Sequence, residues 1–288
     1  MVRKKHAPLF ILASLSIGIA SILVRVSGAS SVACAFWRLF IASLMLMMVS
    51  SVGCRHVLHR KALVYPLIAG FALSLHFVLW MDSLFRVSVA VSTTVVVLYP
   101  AHLMLVEVLR GEKVGYSAVA GLLIAFAAVV LLFSKSLVVK SMAEVLGIVE
   151  AFIASLAAAL YFFIGRASRR SMATAEYATT TYFTASLITL AYSLAIGDNV
   201  FSYLPASWPW LLALAVVPML GGHTVMNYLL RFYKSSTVTS IALAEPVVAS
   251  ILASIILNER TGLVEVAALA MAITGCYLAI SLNSCNQL

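Results

Sequence analysis

The sequence predicts an all-α integral membrane protein, with ten transmembrane helices arranged as two inverted five-helix repeats. Three observations carry this reading. Of the 288 residues 63% are hydrophobic and 10% charged, with mean hydropathy +1.08, whereas soluble domains carry about a quarter charged residues. Apolar runs of roughly 20 residues, each long enough as a helix to cross about 30 Å of hydrocarbon, recur ten times. Finally, the stretch from His76 to Gly115 returns as His223 to Gly262 with a single gap near the prolines, an internal repeat at about half the chain length.

The runs fall near 8–27, 31–50, 62–83, 89–109, 115–133, 145–165, 174–196, 208–230, 237–257 and 262–281, with short links throughout. The first follows Arg3, Lys4 and Lys5 but exceeds the apolar core of a signal peptide, so it reads as a span. SVAC at Ser31 to Cys34, which faintly resembles a lipoprotein cleavage box, falls inside the second run and is set aside. The third and eighth carry the equivalent His76 and His223. The fourth and ninth carry the equivalent Pro100 and Pro246, where a missing backbone donor predicts a bent or broken helix. The fifth and tenth share a small-xxx-small spacing, Gly121/Ala125 and Ala268/Ala272, which lets helices approach closely within the fold or in a homodimer. Trp208 and Trp210 fit an interfacial aromatic belt. The units are residues 1–140 and 141–288.

Basic residues decide the orientation. With the N-terminus inside, 13 of the 19 Lys and Arg lie on the cytoplasmic side, among them Arg55, Arg110, Lys113, Arg166, Arg169, Arg170, Arg231 and Lys234. Arg25, Arg86, Lys135, Lys140 and Arg260 lie outside, and Arg38 lies within a span. Five spans per unit is an odd number, so the second unit enters the membrane from the opposite side to the first. Oppositely oriented halves are typical of secondary transporters, in which they open one central site to each side in turn. The net charge of +9 sits in short clusters between apolar spans, which is why nucleic acid is not an expected partner. Cys34, Cys54, Cys276 and Cys285 form no CxxC pair and indicate neither a disulfide framework nor zinc.

The third span of each unit carries a His and an aromatic, the entry to the fourth is rich in Ser, Thr and Ala, and a mid-span proline is followed by GEK or NER. This pattern resembles the drug/metabolite transporter superfamily, and within it the two-unit, ten-helix EamA group. FWRLFIASLMLM at Phe36 to Met47 looks like that group's second helix and AEPV at Ala244 to Val247 like its ninth. The resemblance covers nearly the whole chain and implies carriage of amino acids and other small metabolites, by export, import or exchange.

Ionisable groups inside hydrocarbon are costly unless paired or watered, and so mark candidate sites. Arg38 lies about seven residues into the second span, roughly 10 Å deep at 1.5 Å per residue. Its fork of donors suits a carboxylate or phosphate, though a snorkelling or clamping role is open. Glu245, next to Pro246, could hold an ammonium or a proton. A Glu245–Arg38 pair or a protonated helix contact is the structural alternative. His76 in the outer half and His223 in the inner half suit a proton relay, or simple interhelical hydrogen bonds. Trp37, Trp80 and Tyr99, with Tyr161, Tyr182 and Tyr228, are candidate cavity aromatics, Trp80 corresponding to Asn227. Glu112 and Glu259 recur in both units and read as helix caps or bridges between spans. Glu107 reads as structural, solvated near the cytoplasmic boundary.

No Walker loop, GxSxG, HExxH or EF-hand pattern occurs, so no enzyme chemistry and no cofactor are expected. The expectation is a multi-pass carrier of the cytoplasmic membrane with both termini inside. It would move a small organic metabolite, an amino acid or related zwitterion, outward by alternating access, and a coupling proton is compatible. An exchanger of a nucleotide-linked or phosphorylated metabolite remains open, although more basic residues would be expected. So does a non-transporting membrane scaffold.

Overall fold

A computed structural model describes residues 4–51, 60–111, 116–139, 141–169 and 172–281. The expectations resting on Arg3, Cys54, Arg55, Glu112, Lys113, Lys140, Arg170 and Cys285 lie outside the described residues, as does the side chain of Glu107. Helix is the only regular structure among the described residues, as hydrocarbon demands of a chain with no sheet to close.

Among the described residues the helical segments can be grouped into ten rods. A 3-10 turn at Lys4–His6 leads into α1, made of Ala7–Gly18 and Ala20–Val26. Then come α2 (Ser31–Ser51), α3 (Arg60–Ser83) and α4, made of Val89–Val96 and Tyr99–Leu109. Next are α5 (Tyr116–Val139), α6 (Met142–Ser168) and α7 (Thr174–Ile196). The rod α8 runs from Pro205 to Leu229 through a π-helical stretch at Ala215–Thr224 that contains Pro218. The rod α9 joins Ser235–Thr239, a 3-10 turn at Ser240–Ala244 and Glu245–Ile256, and α10 is Leu263–Ser281. Among the described residues, seven rods are long and apolar enough to cross a membrane. In α5 and α10 the apolar stretch is shorter, Val119–Leu132 and Leu263–Leu278, and α7 begins with a run rich in threonine.

Both central prolines do what their chemistry requires. Pro100 and Pro246 occupy the first turn of a helical segment, where no backbone donor is needed, and the rod is interrupted immediately before each. The two breaks face each other, because α4 packs on α9. The remaining contacts respect the repeat: α3 packs on α6 and α7 as α8 packs on α1 and α2, while α2 meets α7 and α5 meets α10.

Small residues permit the closest approaches. A Cβ on Gly275 of α10 would fall 2.5 Å from the Ala125 nitrogen and 2.6 Å from the Gly121 carbonyl oxygen of α5. Ala125, Ala268 and Ala272 are buried in this seam, so the small-xxx-small stripes are used within the fold. Large apolar side chains such as Ile11, Phe71, Leu123, Leu194 and Ile255 face outward, as a lipid-facing surface requires.

One end of the bundle is closed by polar contacts. Arg25 pairs with Glu259 at 3.1 Å, and Arg86 with Asp82 at 2.7 Å and Glu150 at 3.0 Å. Lys135 pairs with Glu265. Glu259 also accepts the Val89 backbone N–H at 2.9 Å, capping α4 of the other unit. It therefore bridges spans and caps a helix distant in sequence, not the helix that follows it. Asp82 holds the Arg86 guanidinium above its ordinary range by hydrogen bond and charge. At the opposite end His6 bonds the Tyr233 hydroxyl at 2.7 Å.

Candidate substrate site

Arg38 is 1% exposed in the middle of the bundle. It reaches there because α2 presents it to the seam between α3 and α8. Its guanidinium carbon lies 4.1 Å from the Phe77 ring centroid, and its Nε donates at 3.4 Å to the Met219 sulfur, a weak acceptor. One terminal nitrogen, Nη1, has no partner. A buried guanidinium with an idle donor is a cation waiting for an acceptor, since leaving it unpaired costs several kcal/mol.

Glu245 is also buried and opens the last segment of α9, where the positive end of the helix dipole favours a carboxylate. It stands within electrostatic range of Arg38 and of Tyr99, its counterpart before Pro100. Among the described residues Arg38 and Glu245 form no ion pair. The two charges share one interior without neutralising each other by contact.

Around them the histidines meet. The His76 and His223 ring centroids are 6.3 Å apart, so the two equivalent residues meet in the buried interior of the bundle. His76 Nδ1 bonds the Ala154 carbonyl at 2.9 Å. A carbonyl can only accept, so Nδ1 carries a hydrogen and a neutral ring offers Nε2 as acceptor. His223 Nδ1 has no partner, and neither has the indole nitrogen of Trp80, whose ring stacks on His76 at 6.1 Å. Phe77 and Phe162 flank His223.

A hydrogen-bonded chain leads away from Arg38. Thr224 donates to the Met219 carbonyl at 3.1 Å and so accepts from the Tyr182 hydroxyl at 3.0 Å. The Asn227 amide then donates to Tyr182 at 3.1 Å and to Tyr161 at 2.5 Å. Its carbonyl oxygen is left without a partner.

Not every expected residue is brought here. Trp37 turns away from Arg38, donates to the Val200 carbonyl at 2.7 Å and packs edge-on against Trp208 at 4.6 Å. Successive helix positions diverge by about 100°, and that places Trp37 on the link between α7 and α8. Tyr228 lies 38% exposed beside His6 and Phe232, at the far end. Tyr99 stacks on Phe162 at 5.5 Å and joins the site through Glu245.

The chain matches the description "EamA-like transporter family" twice, over residues 5–134 and 145–281. It belongs to the EamA-like transporter family. Membership makes it a membrane transporter of the drug/metabolite type. No curated protein matches the chain. Among solved structures, 28 chains match. One, described only as "Crystal structure of protein", aligns over 100% of both chains with TM-score 0.70 at 17% identity, a likeness of fold alone.

In this EamA-like chain the residues least legible in the sequence are Asn227, His102 and Arg169. His102 bonds the Ser155 hydroxyl at 3.1 Å between α4 and α6, with its Nε2 unpartnered. Each was detectable only as a polar residue interrupting or ending an apolar run. Their partners lie on helices that the sequence does not bring together.

Proposed function

We propose that this chain is a secondary active transporter with ten membrane-crossing helices in two inverted halves, exporting an amino acid or related zwitterion across the cytoplasmic membrane by alternating access. Two buried, opposite charges that lack each other as partner carry this reading. Arg38 would take the substrate carboxylate with its idle donor, and Glu245 the ammonium. The segments starting at Tyr99 and Glu245 would supply two helix N-termini near mid-depth, a recurrent arrangement for anionic groups in broken-helix carriers. The inverted arrangement is supported by the ends of α1, α3, α5 and α9, which bring Arg25, Arg86, Lys135 and Glu259 into ion pairs at one pole. That pole would face outward by the distribution of Lys and Arg, leaving both termini cytoplasmic.

The breaks before Pro100 and Pro246 would be hinges, and His76 with His223 would pass a coupling proton. Counterflow in proteoliposomes across an amino-acid panel tests the reading. Arg38→Ala and Glu245→Gln are each expected to abolish exchange while the protein still inserts. Normal exchange by both variants would remove the site assignment. Uptake of phosphorylated metabolites in place of amino acids would favour the exchanger.

A further inference from the structure

The consecutive helices α9 and α10 are held by different partners. The last segment of α9, Glu245–Ile256, packs on α1 and on the first segment of α4, whereas α10 is drawn onto α5, where Gly275 meets the Ala125 backbone. Between α9 and α10 lies a groove of about 790 Å³. Val247, Ile251 and Ser254 line it at the spacing of one helix face, and α10 adds Val266 and Leu269. Val247, Ile251 and Val266 are 40%, 56% and 50% exposed, so the groove opens on the lipid-facing surface. From Val247 to Ile256 the helix rises roughly 14 Å at 1.5 Å per residue. That is close to half of the ~30 Å hydrocarbon thickness, the depth of one leaflet.

The head of the groove is polar and carries a free cation. Asn258 takes the left-handed conformation, with φ 54°, and ends α9 as the Glu259 N–H returns to the Ala253 carbonyl at 3.2 Å. This turn parts two adjacent charges. Glu259 faces inward, to Arg25 and the Val89 N–H, while Arg260 is exposed at the mouth of the groove. Among the described residues the Arg260 guanidinium makes no ion pair. Glu259 is the acid in the groove lining, and Arg25 already neutralises it, so the head presents a net positive charge. Ser254, exposed in the last turn of α9, adds a hydroxyl just below the head.

We propose that the groove between α9 and α10 is a binding site for one phospholipid with an anionic headgroup. The phosphate pairs with Arg260, beside Asn258 and Thr261. The Ser254 hydroxyl donates to an ester carbonyl, and one acyl chain lies along Val247, Ile251 and Val266. Three features select this occupant. A soluble anion would leave the apolar wall bare, a zwitterionic lipid would bring its own cation beside Arg260, and a partner helix would run on past mid-depth. The inference goes beyond the transport reading and does not depend on it.

A fluorophore beside the groove tests it in a bilayer. The full chain, with its four cysteines replaced by alanine, carries bimane at Ile255→Cys, an exposed position next to Ser254. It is placed in phosphatidylcholine vesicles with a small fraction of lipid bearing a nitroxide on its acyl chain, either phosphatidylglycerol or phosphatidylcholine. Quenching by the phosphatidylglycerol is expected to be stronger by about fivefold, the preference that one interfacial arginine supplies. Arg260→Gln should bring the ratio near one, and Arg260→Lys should keep most of it. Ser254→Phe, which leaves the charge in place and obstructs the groove, should also bring it near one. Equal quenching by the two lipids in the parent protein overturns the proposal, whatever the variants do. So does a preference that survives Arg260→Gln or Ser254→Phe. Relief of quenching by glycerol 3-phosphate at matched ionic strength would assign the head to a soluble anion and overturn the lipid. The readout needs no transport, so failure of the central site would be seen separately.

Discussion

His76 and His223, equivalent residues of the two repeats, face each other with ring centroids 6.3 Å apart. The contact brings corresponding positions of the two matched repeats together in the bundle interior. Only one of the rings has a fixed hydrogen bond through Nδ1, His76 to Ala154, while the corresponding nitrogen of His223 is idle. The proposed proton relay would use this pairing of one anchored and one free imidazole.

His223→Gln is therefore expected to abolish stimulation of uptake by a pH gradient while counterflow, which needs no net proton movement, continues. Transport measured with and without the gradient in the same vesicles checks this. Equal loss of both activities would reduce His223 to a packing role.

Arg38→Lys is expected to fail nearly as badly as Arg38→Ala, with uptake reduced by roughly tenfold or more. An ammonium cannot lie flat over the Phe77 ring, reach the Met219 sulfur and still present a fork to a carboxylate. Initial rates over a range of substrate concentrations would show the loss.

At the closed pole, Glu259→Gln and Glu259→Ala separate two roles of one side chain. The glutamine keeps an acceptor for the Val89 N–H and loses only the partly exposed pair with Arg25, a change of about 0.5 kcal/mol. The alanine also uncaps α4, at about 1 kcal/mol more. Thermal unfolding in detergent should rank wild type, Gln and Ala in that order.

Gly275→Val is expected to prevent a monodisperse fold. Its side chain would be driven into the α5 backbone, where even a Cβ falls 2.5 Å from the Ala125 nitrogen. Gly275→Ala should cost about 1–3 kcal/mol, read by melting temperature and by gel filtration. An unchanged profile for both would show that α5 and α10 can separate freely.

Much of this architecture was legible before any coordinates. Hydrocarbon forces each apolar run to satisfy its own backbone, so run length located the helices, and proline chemistry located the breaks before Pro100 and Pro246. The tandem repeat was visible because both copies keep the same residue types at the same spacing. Those are local properties, and adjacent residues suffice to express them. Which side chains meet is not local. Trp37 and Arg38 are neighbours in sequence, yet one anchors the link before α8 and the other is buried beside Phe77. The idle atoms of Arg38, His223, Asn227 and Arg169 become apparent only when helices from both halves are packed. Tertiary structure alone decided these partnerships, because they depend on how each helix is rotated and crossed against helices far away in the chain.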